Sequence, residues 1–287
     1  MFADVTSANV VGYMQKTMVQ NFNYICPMFL SVGDNAVYLQ DIQFDASTSV
    51  NDKGSNIQVL GTNRAMTEYY YWFKKITRET DADFGKVGPS GYRVVCPEGK
   101  QGVWFRAWFN DSGTPTNYAY YADKTFPQGA CLQINAAANK KLMFKGQVSD
   151  ATISYTCLQN FNYLGNPYAT DLNIQNIQFD ASTSVNDKGS NIQILGTNRA
   201  MTEYYYWFKK ITRETDADFG KVGPSGYRVV CPEDKQGAWF QAWFNTSGSP
   251  TNYAYAVEKV IPSGSGFQIN AAANKKIVIT SPYSLAQ

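Results

Sequence analysis

The sequence predicts an all-β chain built as two tandem, duplicated β-sandwich domains, and three observations carry that prediction. The chain repeats itself at an offset of about 135 residues. Within each repeat, short apolar runs alternate with Gly, Pro, Asn, Asp and Ser punctuation, the pattern of strands and turns. Aromatic residues make up 15% of the chain and charged residues only 17%, against about 25% in ordinary soluble proteins. Long amphipathic helices need more Glu and Lys than that.

The repeat fixes the organisation. Ile42 to Glu98 recurs as Ile177 to Glu233 with a single change, Val59 to Ile194. Looser similarity continues from Gln101 and Gln236 and ends in QINAAANKK, which starts at Gln133 and again at Gln268. Upstream, Gln20-Asn21-Phe22-Asn23-Tyr24 answers Gln159-Asn160-Phe161-Asn162-Tyr163, and the first copy carries about four extra residues around Ser31 to Val37. A solenoid unit runs ~20–50 residues, so whole domains are duplicated here. The first spans 1–147 and the second 148–287, joined near Lys145 to Ala151.

In the second copy the expected strands are Ile153–Cys157, Phe161–Leu164, Ile174–Phe179, Ile192–Leu195 and Glu203–Lys209. They continue with Tyr227–Cys231, Ala238–Phe244, Tyr253–Val257, Gly266–Asn270 and Lys276–Thr280. Turns fall at Asn186 to Gly189, Gly223 to Gly226, Thr246 to Gly248 and Pro262 to Gly264. One weak helical segment is expected at Asn198 to Thr202. A sandwich fits this series best and a barrel next.

Several function classes are excluded or disfavoured. The chain has no histidine, which removes His-activated nucleophiles, the usual zinc ligand sets and most proton shuttles near neutral pH. Its net charge of +2 offers no bulk attraction to nucleic acid or anionic membranes. No apolar run is long enough to span a bilayer. Gly264-Ser265-Gly266 precedes a strand, so it is neither a dinucleotide fingerprint nor a phosphate loop. The N-terminus lacks the basic and apolar regions of a signal peptide. The chain is then either cytoplasmic or trimmed of a signal peptide, and the composition favours the second, an extracellular or cell-surface protein.

Candidate interaction residues lie on the most aromatic strand. Trp104, Arg106 and Trp108 alternate onto one face, with Trp239, Gln241 and Trp243 as their counterparts. Two tryptophans about 13 Å apart along a strand would form a platform for sugar rings or a contact for another protein. The alternative is that both faces are covered and the central polar group reaches the rim. The run Glu68 to Lys75, repeated from Glu203, reads as a strand packed on both sides. Asp45 to Gly54 and Asp81 to Gly85, with their repeats, are oxygen-rich. They lack the bidentate Glu of an EF-hand and read as Asx-turn loops before calcium sites. No carboxylate spacing singles out a glycosidase pair. Asn110-Asp111-Ser112 and Asn245-Thr246-Ser247 match the glycosylation sequon, but Asn and Ser also simply suit turns.

Of the five cysteines, only Cys96 and Cys231 correspond between copies. Cys26 and Cys131 face Gly165 and Gly266 in the alignment, so both are present in one copy and both missing from the other. Joint presence and absence is what a disulfide between neighbouring strands would leave. It predicts Cα atoms about 4.4–6.8 Å apart.

Asn160-Phe161-Asn162-Tyr163-Leu164-Gly165-Asn166-Pro167, followed by a Tyr-Trp strand and closed by Pro262-Ser263-Gly264-Ser265-Gly266-Phe267, resembles secreted bacterial β-sandwich repeats of the G-[FW]-N-L-[IV]-G-N-P … P-G-x-G-F kind. The first copy departs from that pattern at Cys26-Pro27. The resemblance implies export and a non-enzymatic role, and transfers no active-site residues or cofactor. The expected function is therefore a structural or assembly protein of a surface layer, filament or matrix, self-associating and polymerising head to tail through its terminal segments. A pair of carbohydrate-binding modules using the Trp-faced strands is the alternative, with glycans as partners.

Overall fold

The computed structural model describes residues 11–44, 55–61, 65–73, 94–95, 103–109, 115–121, 123–136, 139–179, 190–196, 201–208, 229–230, 238–244, 246, 250–256 and 258–285. The first copy contributes β1 (Val11–Met18), β2 (Asn21–Ile25), β3 (Ala36–Tyr38), β4 (Ile42–Phe44), β5 (Asn56–Leu60) and β6 (Met66–Phe73). It continues with β7 (Val94–Val95), β8 (Val103–Phe109), β9 (Pro115–Tyr120), β10 (Thr125–Pro127), β11 (Leu132–Ala136) and β12 (Lys140–Gln147). The second copy contributes β13 (Ile153–Cys157), β14 (Asn160–Gly165), β15 (Leu172–Asn173), β16 (Ile177–Phe179), β17 (Asn191–Leu195) and β18 (Met201–Phe208). Its remaining strands are β19 (Val229–Val230), β20 (Ala238–Phe244), β21 (Pro250–Tyr255), β22 (Val260–Ile261), β23 (Gly266–Ala271) and β24 (Lys275–Ile279). The protein is all-β.

The sheet order repeats. A seven-stranded sheet runs β2-β11-β5-β6-β8-β9-β7 in one copy and β14-β23-β17-β18-β20-β21-β19 in the other. A three-stranded sheet runs β1-β12-β4 and β13-β24-β16, and a two-stranded ribbon pairs β10 with β3 and β22 with β15. Pairing is antiparallel except between the short β7 and β9, and between β19 and β21.

Alternation along the strands explains the packing. Ile25, Ile57, Tyr70, Trp72, Trp104, Leu132 and Ile134 point to one side of the large sheet and share a core with Met18, Phe44, Leu142 and Phe144 of the small one. Each such burial contributes roughly 1.5–3 kcal/mol. On the opposite face, buried amides bond one another: Gln133 Nε2 on β11 donates across to Gln58 Oε1 on β5, and Gln58 Nε2 donates along its own strand to Asn56 Oδ1 at 2.8 Å. Gln268, Gln193 and Asn191 repeat the ladder. Each of these six buried side-chain amides thus has a partner, which burial demands.

Two expectations change. Of the helical segment expected at Asn198 to Thr202, Asn198 to Ala200 lie outside the described residues, and Met201 and Thr202 belong to β18. The strand expected from Ile174 to Phe179 opens as a 3-10 turn, Ile174–Asn176, capped by the Asn173 side chain, which accepts the Gln175 N–H at 2.8 Å before β16 starts; the first copy makes the same turn at Leu39–Asp41 without a side-chain cap. The ribbon of β15 and β22 was not expected, since two-residue strands carry no readable period.

Candidate functional site: an emerging tryptophan strand and the seam between the copies

Trp104 and Trp108 share one face of β8 but not one environment. Trp104 is fully buried. Its indole N–H donates to Ile42 O at 2.6 Å, and Gln40, in the 3-10 turn Leu39–Asp41, straps both its backbone groups at 3.1 and 3.2 Å. Trp72 and Phe44 pack against the ring with centroids 5.1 and 5.7 Å away. Trp239 is held identically by Ile177 and Gln175. The two-tryptophan platform is therefore not formed: the core takes one indole of each pair, and Trp108 and Trp243 emerge alone, 36% and 42% exposed. A β-bulge just after each of them marks the end of regular pairing. The Phe-Ala face is core as expected, with Phe105 and Ala107 buried, as are Phe240 and Ala242.

Arg106 sits between the two environments. Its guanidinium lies over Trp108 at 5.1 Å and Tyr121 at 5.8 Å and stands 3.9 Å from Glu68. Lys124 bonds Glu68 at 2.6 Å, and the Tyr70 hydroxyl donates to it at 2.8 Å. Burial raises the Glu68 carboxyl, but the Lys124 and Tyr70 bonds outweigh it and hold Glu68 below its ordinary range. The second copy keeps the carboxylate and lysine as Glu203 and Lys259, 2.7 Å apart. It replaces Arg106 and Tyr121 with Gln241 and Ala256. Among the described residues, the exposed indole of the first copy lies beside a cation and a tyrosine, whereas the second copy has Gln241 and Ala256 at those two positions.

The second arrangement joins the copies. Pro127-Gln128-Gly129-Ala130 and Pro262-Ser263-Gly264-Ser265 are β-turns closed by Ala130 N–H to Pro127 O at 3.1 Å and Ser265 N–H to Pro262 O at 3.0 Å. Each needs its third residue at positive φ, met by Gly129 (+86°) and Gly264 (+66°). The glycine carbonyls so presented accept from the opposite copy: Cys26 N–H bonds Gly264 O at 2.9 Å, and Gly165 N–H bonds Gly129 O at 3.0 Å. Isolated bridges Ile25↔Ser265 and Ala130↔Leu164 flank them. In the repeat alignment Cys26 matches Gly165, Gly129 matches Gly264, Ile25 matches Leu164 and Ala130 matches Ser265. The contacts are reciprocal, which is the signature of pairing about a two-fold axis.

That axis explains the cysteines. Leu132 pairs with Ile25 in the β2–β11 ladder, so Cys131 and Cys26 follow as direct neighbours one step beyond it. Adjacency was expected, but the disulfide is not formed: both are buried free thiols. Their side chains instead face across the seam. A Cβ on Gly165 would overlap Cys26 Cβ, and one on Gly266 would overlap Cys131 Sγ. Burial pushes both thiols well above their ordinary pKa, so neither is poised as a nucleophile. Lys16 reaches in from β1, donating to Ser263 O at 2.7 Å and Ser265 Oγ at 3.1 Å, and burial draws its amine down to about 8. Its counterpart Tyr155 approaches Gly129 in the same way, yet its buried hydroxyl finds no hydrogen-bond partner among the described residues.

Sequence reading missed Lys16, Gly129 and Tyr155, and placed Gly264 in a turn without a role at the seam. Their only signal was positional, since they cluster with the motif residues Gly165-Asn166-Pro167 and Pro262 to Phe267. The loops Asp45 to Gly54 and Asp81 to Gly85, their repeats, Cys96, Cys231, Asn110 and Asn245 lie outside the described residues. Among the described residues no group of three or more His, Cys, Asp or Glu converges on a metal-sized site. Among the described residues no helix is long and apolar enough to cross a membrane. No protein family, curated protein or solved structure matches the chain.

Proposed function

We propose that this chain is a non-enzymatic extracellular structural protein, a self-associating subunit of a surface layer, filament or matrix. The observation that carries the reading is the seam. Two β modules are joined by reciprocal main-chain bonds at the ends of their large sheets, the mode of contact by which sheets recruit further strands. The resemblance to secreted bacterial β-sandwich repeats supports export, and both of its short motifs fall at this seam. The tail bears on how polymers form. Leu285 N–H bonds Asp150 Oδ2 at 2.7 Å and the Tyr283 hydroxyl donates to Ser149 O at 3.1 Å, within one chain. A head-to-tail contact through this tail exchanges those bonds for equivalent ones on the next subunit. Negative-stain microscopy with sedimentation across a wide concentration range tests the proposal. Polymers or ordered sheets are expected, and a strictly monomeric protein throughout would overturn it.

A second reading is favoured by one observation: Trp108 is exposed beside Arg106 and Tyr121, a stacking surface with a cation at its edge. It makes the first copy a glycan-binding module. A glycan array on the whole chain, with Trp108→Ala as control, decides it.

A further inference from the structure

The two copies are nearly identical through their middles and differ at the axis. Ile42 to Glu98 differs from its repeat at one position. Around the seam, by contrast, Lys16 faces the role of Tyr155, Cys26 that of Gly165, Ala130 that of Ser265 and Cys131 that of Gly266. On a two-fold axis a position meets its own counterpart, so such differences decide which copies fit together.

We infer that Cys26 and Cys131 are knobs, Gly165 and Gly266 their sockets, and that this pairing code makes the first copy associate with the second and not with another first copy. Space is the argument. Neither Gly165 nor Gly266 has a positive φ, so the backbone does not require glycine at either place. What presses closest is the partner: an added Cβ would overlap Cys26 Cβ at Gly165 and Cys131 Sγ at Gly266, with Tyr24 Cβ of the first copy 3.1 Å from the latter, while within the second copy Ser265 O lies 2.8 Å from a Cβ on Gly165. Two first copies would bring thiol against thiol twice in room that holds one. Two second copies would leave both volumes empty, and interiors tolerate neither overlap nor void without cost. The lysine reinforces the polarity. Lys16 is satisfied by Ser263 O and Ser265 Oγ, and the residue matching Ser265 is Ala130, which has no hydroxyl to offer. The inference stands apart from the proposed assembly role, since it concerns which copies pair and not what the chain builds. It also sets a rule between chains: if a seam opens, only an unlike copy of a second chain can close it.

The test uses full-length protein and reads the seam alone. Hydrogen exchange at the Cys26 and Gly165 amides reports opening, and maleimide labelling of Cys131 reports access, while β17 and β18 amides report the fold. Gly165→Ala with Gly266→Ala should accelerate seam exchange and labelling about tenfold or more, leaving β17 and β18 protected. Should that variant fail to fold, Cys26→Gly with Cys131→Gly empties the sockets instead, and the same acceleration of Cys26 and Gly165 exchange is expected. The decisive variant exchanges the code: Cys26→Gly and Cys131→Gly together with Gly165→Cys and Gly266→Cys. Restored protection there supports the inference. Exchange as fast as in the unswapped variants, or filled and emptied sockets that exchange like wild type, would overturn it.

Discussion

Replacing Lys16 with Met should change the pH dependence of stability in a defined direction. Lys16 Nζ is buried at the seam, and burial disfavours its charged form, drawing it from 10.5 to about 8. In the unfolded chain it returns to its ordinary value. Between about pH 8 and 10.5 the unfolded state therefore binds more protons than the native one, and this residue makes stability rise with pH across that window. Below pH 8 the native state bears the full cost of the buried charge, of order 3 kcal/mol for a displacement of this size. Above 10.5 the cost is gone. Neighbouring groups pull the other way: burial raises Cys26, Cys131, Tyr155 and Tyr168, so ionisation of the unfolded chain at high pH lowers stability. The difference between wild type and Lys16→Met cancels those terms. Urea denaturation of both proteins from pH 7 to 10.5 should show wild type gaining ~2–3 kcal/mol on the variant over that range. The absolute gap at pH 7 is not the readout, because the variant also leaves Ser263 O and Ser265 Oγ without their donor. Parallel curves would refute the reasoning, and with it the view that Lys16 is a charge held away from water.

Trp104→Phe should destabilise the first copy by about 2–4 kcal/mol in thermal or urea unfolding, since it removes the indole donor to Ile42 O and leaves part of a fully buried volume empty. Trp108→Ala should cost under about 1 kcal/mol in the same assay, because the ring is substantially exposed. If the glycan reading holds, it should abolish retention on the array. Glu68 is held below its ordinary range, so its contribution is present above the usual carboxylate pKa and is lost as pH falls through the depressed one. Glu68→Gln should flatten acid unfolding near pH 4 by ~1 kcal/mol or less, as solvent screens this partly exposed pair.

Much of the fold was legible because strand alternation is a local signal. Ile153–Cys157 and Ala238–Phe244 form as expected from period and turn residues alone. The order of strands was not legible: β11 lies between β2 and β5, a placement set by long-range packing and not by neighbouring sequence. The tryptophan strand was half legible for the same reason. Alternation places Trp104 and Trp108 on one face, but which indole is roofed depends on the turn Leu39–Asp41 arriving from another part of the chain.

The cysteines show where covariation within a repeat runs out. Cys26 and Cys131 occur together and are absent together, and a bond between them would explain that. A shared surface explains it equally, because two residues facing one partner are constrained jointly without touching chemically. The repeat contained what separates the two explanations. Their counterparts are both glycine, the residue with no side chain to offer, whereas a lost disulfide leaves any two small residues that still fill the strand. Glycine at ordinary φ in the ends of β14 and β23 signals another body pressing close. With the register of β2 and β11 fixed, the body is the first copy itself. Joint cysteines opposite joint glycines then identify the place where two copies of one sequence, once interchangeable, came to require each other.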